Sequence, residues 1–293
     1  MPQNIIAIVY DFDGTLSPNN MQEDTIFPAY EIDKDKFWRK TDELVAHGYE
    51  RTLAYLKLLL HDESFKKKPL RKDDLQKLAG KIKFYPGVSD YLDRIHRFMK
   101  TIPEVQEKKI ELEHYIISSG MKEILDGVEI LKTFKKVYAC ELEYNREGEA
   151  VFPKLVINDT NKTQFLFRIN KGKLEMSEDI NSHMPEEQRR IPFRNMIYVG
   201  DSDTDVPSMT VVQKYGGHVI AVYKDVPPER TKAVTMVKEK RADHFARADF
   251  REDSLLIKIL RQTIRKIIHT IVYYSSADMA SQWVKNHPKR EES

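Results

Sequence analysis

Residues 5–18, Ile-Ile-Ala-Ile-Val-Tyr-Asp-Phe-Asp-Gly-Thr-Leu-Ser-Pro, constrain this chain more than any other stretch. Ile5 to Val9 is a short apolar run rich in β-branched residues, which reads as a strand buried on both faces of a parallel sheet. It ends in Asp11, Asp13, Gly14 and Thr15. Two carboxylates at the mouth of a buried strand are costly to desolvate unless a cation sits with them. Open α/β sheets also place their ligands at the carboxyl ends of strands. The stretch therefore points to a metal-bound, phosphate-handling site. The plainer alternative is a capping aspartate followed by a turn glycine.

Other apolar runs end in comparable ways. His114 to Ile117 runs into Ser118-Ser119-Gly120, and a helix carrying Ile124, Leu125, Val128 and Leu131 is expected next. A strand that ends in hydroxyls before a helix can hold an anion, because the hydroxyl donates and the new helix offers free N–H groups. A serine serving only as an N-cap is the structural alternative. Val137 to Ala139 reads as a short strand, and Asn145-Arg-Glu-Gly148 as a hairpin turn. Asn158-Asp-Thr-Asn-Lys162 enters a helix striped with Phe165, Leu166 and Ile169. A lysine at a helix start opposes the helix dipole, so Lys162 must find a negative partner or stay solvated. Lys171 and Lys173 suit the basic end of the same helix. Met196 to Val199 is another buried strand, and it leads into Gly200-Asp-Ser-Asp-Thr-Asp205. The paired carboxylates of Asp201 and Asp205 suit Mg²⁺, a hard cation that takes one or two carboxylates and keeps several waters; an ordinary acidic loop is the alternative. Val219 to Val222 continues the strand–helix rhythm.

Between these runs the chain changes character. Residues 33–46, 51–61 and 72–81 have helical spacing, with Leu53, Leu56 and Leu60 on one face of the second helix and Leu75, Leu78 and Ile82 on the third. Tyr85-Pro-Gly87 is turn chemistry, and Val88, Tyr91, Leu92, Ile95, Phe98 and Met99 then make an amphipathic helix. The expected fold is α/β: a Rossmann-like parallel sheet with helices on both faces, plus an inserted α-helical cap. The core takes residues 1–18 and 85–253, the cap residues 19–84, and a C-terminal helix and tail residues 254–293. Asp253 can cap that helix, whose stripe runs from Leu255 through Leu256, Leu260, Ile264, Ile267, Ile268 and Ile271 to Val272. Lys258, Arg261, Arg265 and Lys266 are expected on its solvated side, and the end from Pro288 is expected to fray.

With 41% hydrophobic residues the chain can bury a sizeable core. A net charge of +2 gives no electrostatic case for nucleic acid or a membrane surface. The single cysteine, Cys140, permits no intramolecular disulfide and fits a reducing compartment. No apolar run approaches the ~20 residues needed to span a bilayer. Asp11 and Asp13 interrupt the N-terminal run too early for a signal peptide. A cytosolic protein, monomer or homodimer, is expected.

Taken in order, Asp11-Phe-Asp-Gly-Thr15, Ser118, Lys162 and Gly200-Asp201 through Asp205 resemble the four motifs of the haloacid dehalogenase superfamily. The resemblance spans about residues 5 to 250 and is strongest in the first and fourth motifs. In the third, Lys171 competes with Lys162. The resemblance implies a Mg²⁺-dependent phosphatase that acts through an aspartyl-phosphate. Asp11 would be the nucleophile and Asp13 the general acid and base. Ser118, Ser119 and Lys162 would grip the phosphoryl group. Asp11, Asp13 (through its carbonyl), Asp201 and Asp205 would form the metal site. A helical cap after the first motif is similar to the phosphoserine phosphatase and nucleotidase-like branches, which implies a small phosphorylated metabolite as substrate. Gln22, Glu23 and Asp24 are the candidates for specificity. A phosphotransferase or phosphomutase, and a non-catalytic phosphate-binding protein, remain as alternatives.

Overall fold

The computed structural model describes residues 3–201 and 203–286. Among them, strands β1 (Ile5–Tyr10), β2 (Glu111–Met121), β3 (Lys136–Tyr144), β4 (Ala150–Leu155), β5 (Met196–Gly200), β6 (His218–Tyr223) and β7 (His244–Arg247) form one sheet, in the order β4-β3-β2-β1-β5-β6-β7. Neighbours run parallel except β3 and β4, which form an antiparallel hairpin. Helices pack against the sheet, as an apolar parallel sheet requires. The apolar run of β1 thus lies at the centre, with Ile6 to Tyr10 fully buried. The chain moves from β1 to β2 on one side and later returns to β5 on the other. The strand order therefore reverses at β1, and that reversal opens a crevice at the carboxyl ends of β1, β2 and β5.

Between β1 and the Val88–Lys100 helix the chain is helical, with the Lys34–Ala46, Arg51–His61 and Lys72–Leu78 helices as its longest pieces. Asp33 caps the first of these by accepting the Lys36 N–H at 2.8 Å. The Arg51–His61 helix buries only part of the face that leucine spacing predicts. Leu53 is 43% exposed, whereas Thr52, Tyr55, Leu56 and Leu59 face inward. Its inner face overlooks the crevice, so polar side chains stand where apolar ones were expected. The far end of this inserted segment is tied to the sheet. Leu70 O accepts the Ala150 N–H at 2.9 Å, and Arg71 pairs with Glu149 at 2.7 Å. These contacts cover part of the free edge of β4. Phe37, Leu56 and Leu75 from the segment join the side chains of the sheet in one continuous apolar core.

Three local expectations differ from the structure. The helix after β2 is a short α-helix, Lys122–Asp126, followed by a 3-10 turn at Glu129–Thr133. The break falls at Gly127, where the backbone passes so close to the Lys72–Leu78 helix that a Cβ would lie 2.2 Å from Gln76 O. Ile124, Leu125, Val128 and Leu131 are buried all the same. Strands β4 and β7 carry too little periodicity to be read: Val151 and Phe152 on the edge strand β4 are exposed, and β7 has four residues. The Leu255–Asn286 helix is capped by Ser254, not Asp253, with Ser254 Oγ accepting the Ile257 N–H at 3.2 Å. Its stripe from Leu256 to Ile271 is buried, and the helix meets β7, the Pro103–Glu107 helix and the Phe193–Asn195 turn, while Leu255 is exposed. Lys258, Arg265 and Lys266 are exposed, as expected, while Arg261 is partly buried over the Phe98 ring. The expected fraying from Pro288 onward lies outside the described residues. No helix of the described residues is long and apolar enough to cross a membrane.

Gly127→Ala should test the close approach of the inserted segment to the sheet domain. Overpacking of this kind costs about 1–3 kcal/mol. The urea unfolding midpoint is expected to fall accordingly, and an unchanged midpoint would show that the Lys72–Leu78 helix gives way freely.

Candidate active site

Asp11 continues β1 into the crevice, and its N–H bonds Val199 O on β5 at 3.0 Å. The chain then coils tightly: Phe12 O accepts the N–H groups of Thr15, Leu16 and Ser17. Gly14 takes a left-handed φ of +80°, and a Cβ there would lie 2.1 Å from Asp201 Oδ2. Only glycine lets the first loop settle against the fourth-motif aspartate. Thr15 Oγ1 also donates to Asp201 Oδ1, at 3.4 Å.

Lys162 opens the Lys162–Lys171 helix, and its side chain is buried. Its ammonium lies 3.1 Å from Asp11 Oδ1 and 2.8 Å from Asp205 Oδ1. These are the negative partners that a lysine at a helix start requires. Asp205 is fully buried; its Oδ1 also accepts the Tyr198 hydroxyl at 2.8 Å, and its Oδ2 the Asp201 N–H at 3.2 Å. Lys171 lies elsewhere and donates to the carbonyls of Ile180 and Ser182. The fold therefore brings Lys162, and not Lys171, to Asp11.

The remaining sequence candidates surround this pair. Asp13 accepts the Met21 N–H at 2.9 Å. Ser118 Oγ is buried and accepts the Gly120 N–H at 2.9 Å, which leaves its own proton to donate. Ser119 Oγ is buried without a protein partner. Asp11, Asp13, Ser118, Ser119, Lys162 and Asp201 all line one cavity of about 620 Å³. Gln22 and Glu23 line it too, but Asp24 does not; it accepts from Asn19 and the Lys83 N–H. Sequence reasoning missed Trp38, Arg51, Tyr55, Tyr85, Lys224 and Glu229 in the wall. Tyr55 lies off the leucine stripe read in its helix, and its hydroxyl donates to Ser119 O at 2.5 Å. No local pattern marks the others.

Electrostatics give the cluster its character. Burial, then the nearby Asp205 carboxylate, pushes Asp11 up to about 7 from its ordinary 3.8, against the pull of Lys162. Burial, then the charge of Asp11, raises Asp13. Burial, then Asp205 and Asp11, raises Asp201. Burial would lower Lys162, but Asp11 and Asp205 hold it well above the usual lysine range. One ammonium thus faces a surplus of carboxylates. Oxygens of Asp11, Asp201 and Asp205 lie within 4.8 Å of one another. Hard oxygen donors with excess negative charge fit a divalent cation such as Mg²⁺. Asp205 already serves Lys162, Tyr198 and the Asp201 N–H, so Asp11 and Asp201 are the better-placed ligands. The carboxylate of Asp13 is not in the group.

A crevice of this kind, at the switch point of a mostly parallel sheet, belongs to a Rossmann-like α/β architecture. No family model matches the chain. A protein of Borreliella burgdorferi described as uncharacterized is 28% identical, over 89% of this chain and 97% of its own length. A haloacid dehalogenase-family hydrolase of Salmonella enterica serovar Typhi superposes with a TM-score of 0.54 at 17% identity, over 84% of this chain and 67% of that one. A phosphoserine phosphatase holding an analogue of its phospho-aspartyl intermediate gives a TM-score of 0.53 at 17% identity, over 88% of this chain and 99% of that one. A substrate-bound phosphoserine phosphatase gives 0.52 at 16% identity, over 88% and 97%. The chain has the fold of the haloacid dehalogenase-family hydrolases, of which the phosphoserine phosphatases are the recurring neighbours.

The raised Asp11 carboxyl predicts a pH effect on stability. In chelator-treated protein the folded chain keeps a proton at Asp11 up to about 7, while the unfolded chain releases it near 3.8. The stability contributed by this group is complete below the lower value and is lost as pH rises through the upper one. Relative to Asp11→Asn, the wild-type urea midpoint should therefore decline between those two values, and Mg²⁺ should restore it. A constant gap between the two proteins across that range would show that Asp11 is ionised throughout.

Proposed function

We propose that this protein is a cytosolic, Mg²⁺-dependent phosphomonoesterase that hydrolyses a small phosphorylated metabolite through an aspartyl-phosphate on Asp11. The observation that carries the reading is the contact of 3.1 Å between the buried Lys162 ammonium and Asp11 Oδ1, at the floor of a cavity that also holds Asp13 and Ser118. Roles follow from the chemistry of each group. An Asp11 oxygen attacks phosphorus, and the bond from phosphorus to the ester oxygen breaks. Asp13, whose pKa is raised by burial and by the charge of Asp11, gives its proton to the departing oxygen. The carboxylate it becomes then takes a proton from water as that water attacks phosphorus, releasing inorganic phosphate and regenerating Asp11. Ser118, Ser119 and Lys162 donate to the phosphoryl oxygens and stabilise the charge that develops on them. Bound Mg²⁺, held by Asp11, the Asp13 carbonyl and Asp201 with Asp205 in support, would supply the positive charge that lets an anionic nucleophile approach a phosphate dianion.

The inserted helical segment, residues 19–84, serves as the cap in this reading. Through Gln22, Glu23, Trp38 and Arg51 it provides the wall that the leaving group meets. Phosphoserine phosphatases are among the proteins that share this fold, so phosphoserine is the first substrate to try.

Purified protein should release phosphate from a generic aryl phosphate or from phosphoserine with Mg²⁺ and not after chelation. Asp11→Asn should reduce the rate at least ~10³-fold, because it removes the nucleophile. Asp13→Asn should trap phosphoenzyme or abolish turnover. An undiminished steady-state rate in Asp11→Asn would end the proposal.

A further inference from the structure

Tyr198 belongs to none of the motifs above, yet it touches the centre of the site. It lies on β5 three residues before Asp201, fully buried, paired with Val9 of β1 on one side and Val219 of β6 on the other. Apolar neighbours of this kind would accept phenylalanine equally well. A buried hydroxyl is tolerated only when it is bonded, and this one donates to Asp205 Oδ1 at 2.8 Å. The same oxygen accepts Lys162 Nζ, also at 2.8 Å. Lys162 is therefore held between two competing carboxylates, Asp205 at 2.8 Å and Asp11 at 3.1 Å.

We infer that Tyr198 is a positioning residue, which through Asp205 sets where the Lys162 ammonium stands between the nucleophile and the phosphate pocket. The inference rests on the phosphatase reading. Donation from the phenol takes up part of the negative charge on Asp205 Oδ1 and fixes the rotamer of that side chain. Lysine is a point charge on a flexible four-carbon stem, so its location follows its strongest partner. Without the phenol, Asp205 Oδ1 would be a more negative and less fixed acceptor. It would draw the ammonium away from Asp11 and from the phosphoryl oxygens. The Asp201 N–H would still hold Asp205 Oδ2, at 3.2 Å, so the carboxylates facing a cation would change less.

The test uses the full chain and compares wild type with Tyr198→Phe at a temperature where circular dichroism shows both folded. Affinity for inorganic phosphate in saturating Mg²⁺, and for Mg²⁺ alone, would be measured by calorimetry. Loss of a hydrogen bond to a charged group corresponds to roughly tenfold or more. Phosphate affinity is expected to fall by about that factor, with the kcat/KM for an aryl phosphate following it, while Mg²⁺ affinity stays within about twofold. Unchanged phosphate affinity overturns the inference. So does an equal loss of phosphate and Mg²⁺ affinity, which would mean general loosening of the site. If Tyr198→Phe does not fold, 3-fluorotyrosine at position 198 takes its place: its more acidic phenol donates more strongly to Asp205 Oδ1, so phosphate affinity is expected to rise, and unchanged or lower affinity overturns the inference. Wild-type protein that binds phosphate yet hydrolyses no ester defeats the phosphatase reading but leaves the role of Tyr198 measurable. Wild-type protein that binds no phosphate overturns both.

Discussion

The buried ammonium of Lys162, shared by Asp11 and Asp205, is the interaction on which the rest depends. Each of the three groups would be costly in this location alone, since an ion withdrawn from water without a partner carries a penalty of several kcal/mol. Each is tolerated because the other two are there. They come from widely separated parts of the chain: the end of β1, the first residue of the Lys162–Lys171 helix, and the turn after β5. The sheet must therefore be assembled with β1 in the middle before the cluster is electrically acceptable. Fold and site specify each other at this point.

The balance within the cluster is deliberately incomplete. One lysine cannot neutralise Asp11, Asp201 and Asp205, and burial amplifies the shortfall, so Asp11 and Asp201 rise in pKa. The surplus favours a hard cation and, with that cation, an anionic guest. Asp13 lies outside the ligand group and accepts a backbone N–H from Met21. In the proposed reaction this separation would let Asp13 carry a proton while Asp11, with a cation bound, acts as an anion. Two chemically identical side chains thus take different parts because their surroundings differ.

Much of this was legible in the sequence, for identifiable reasons. The strand ends announced themselves because acids rarely follow fully buried apolar runs, and Lys162 stood out because it opposes a helix dipole. The central strands β1, β2 and β5 were apolar enough to read. What escaped was whatever depended on partners distant in sequence. Tyr198 passed for a core residue, because a hydroxyl buried against a remote acceptor looks like any other aromatic in an apolar run, and Tyr55 lay off the stripe that was read. Leu53 was expected inside because leucine spacing says nothing about a helix whose inner face borders a polar cavity. The helix after β2 breaks at Gly127 because another helix passes there, and no local signal reports that neighbour.

The two short ties between Leu70–Arg71 and the β3–β4 hairpin have an evolutionary corollary. A segment stitched to a sheet edge and sharing its apolar interior with that sheet cannot be exchanged as a cassette without tearing the body it sits on. Divergence of such a protein toward new substrates must proceed by single replacements along the rim, at positions such as Trp38 and Arg51, while the stitched end stays put. Relatives should accordingly differ in rim chemistry long before they differ in the length of the insertion.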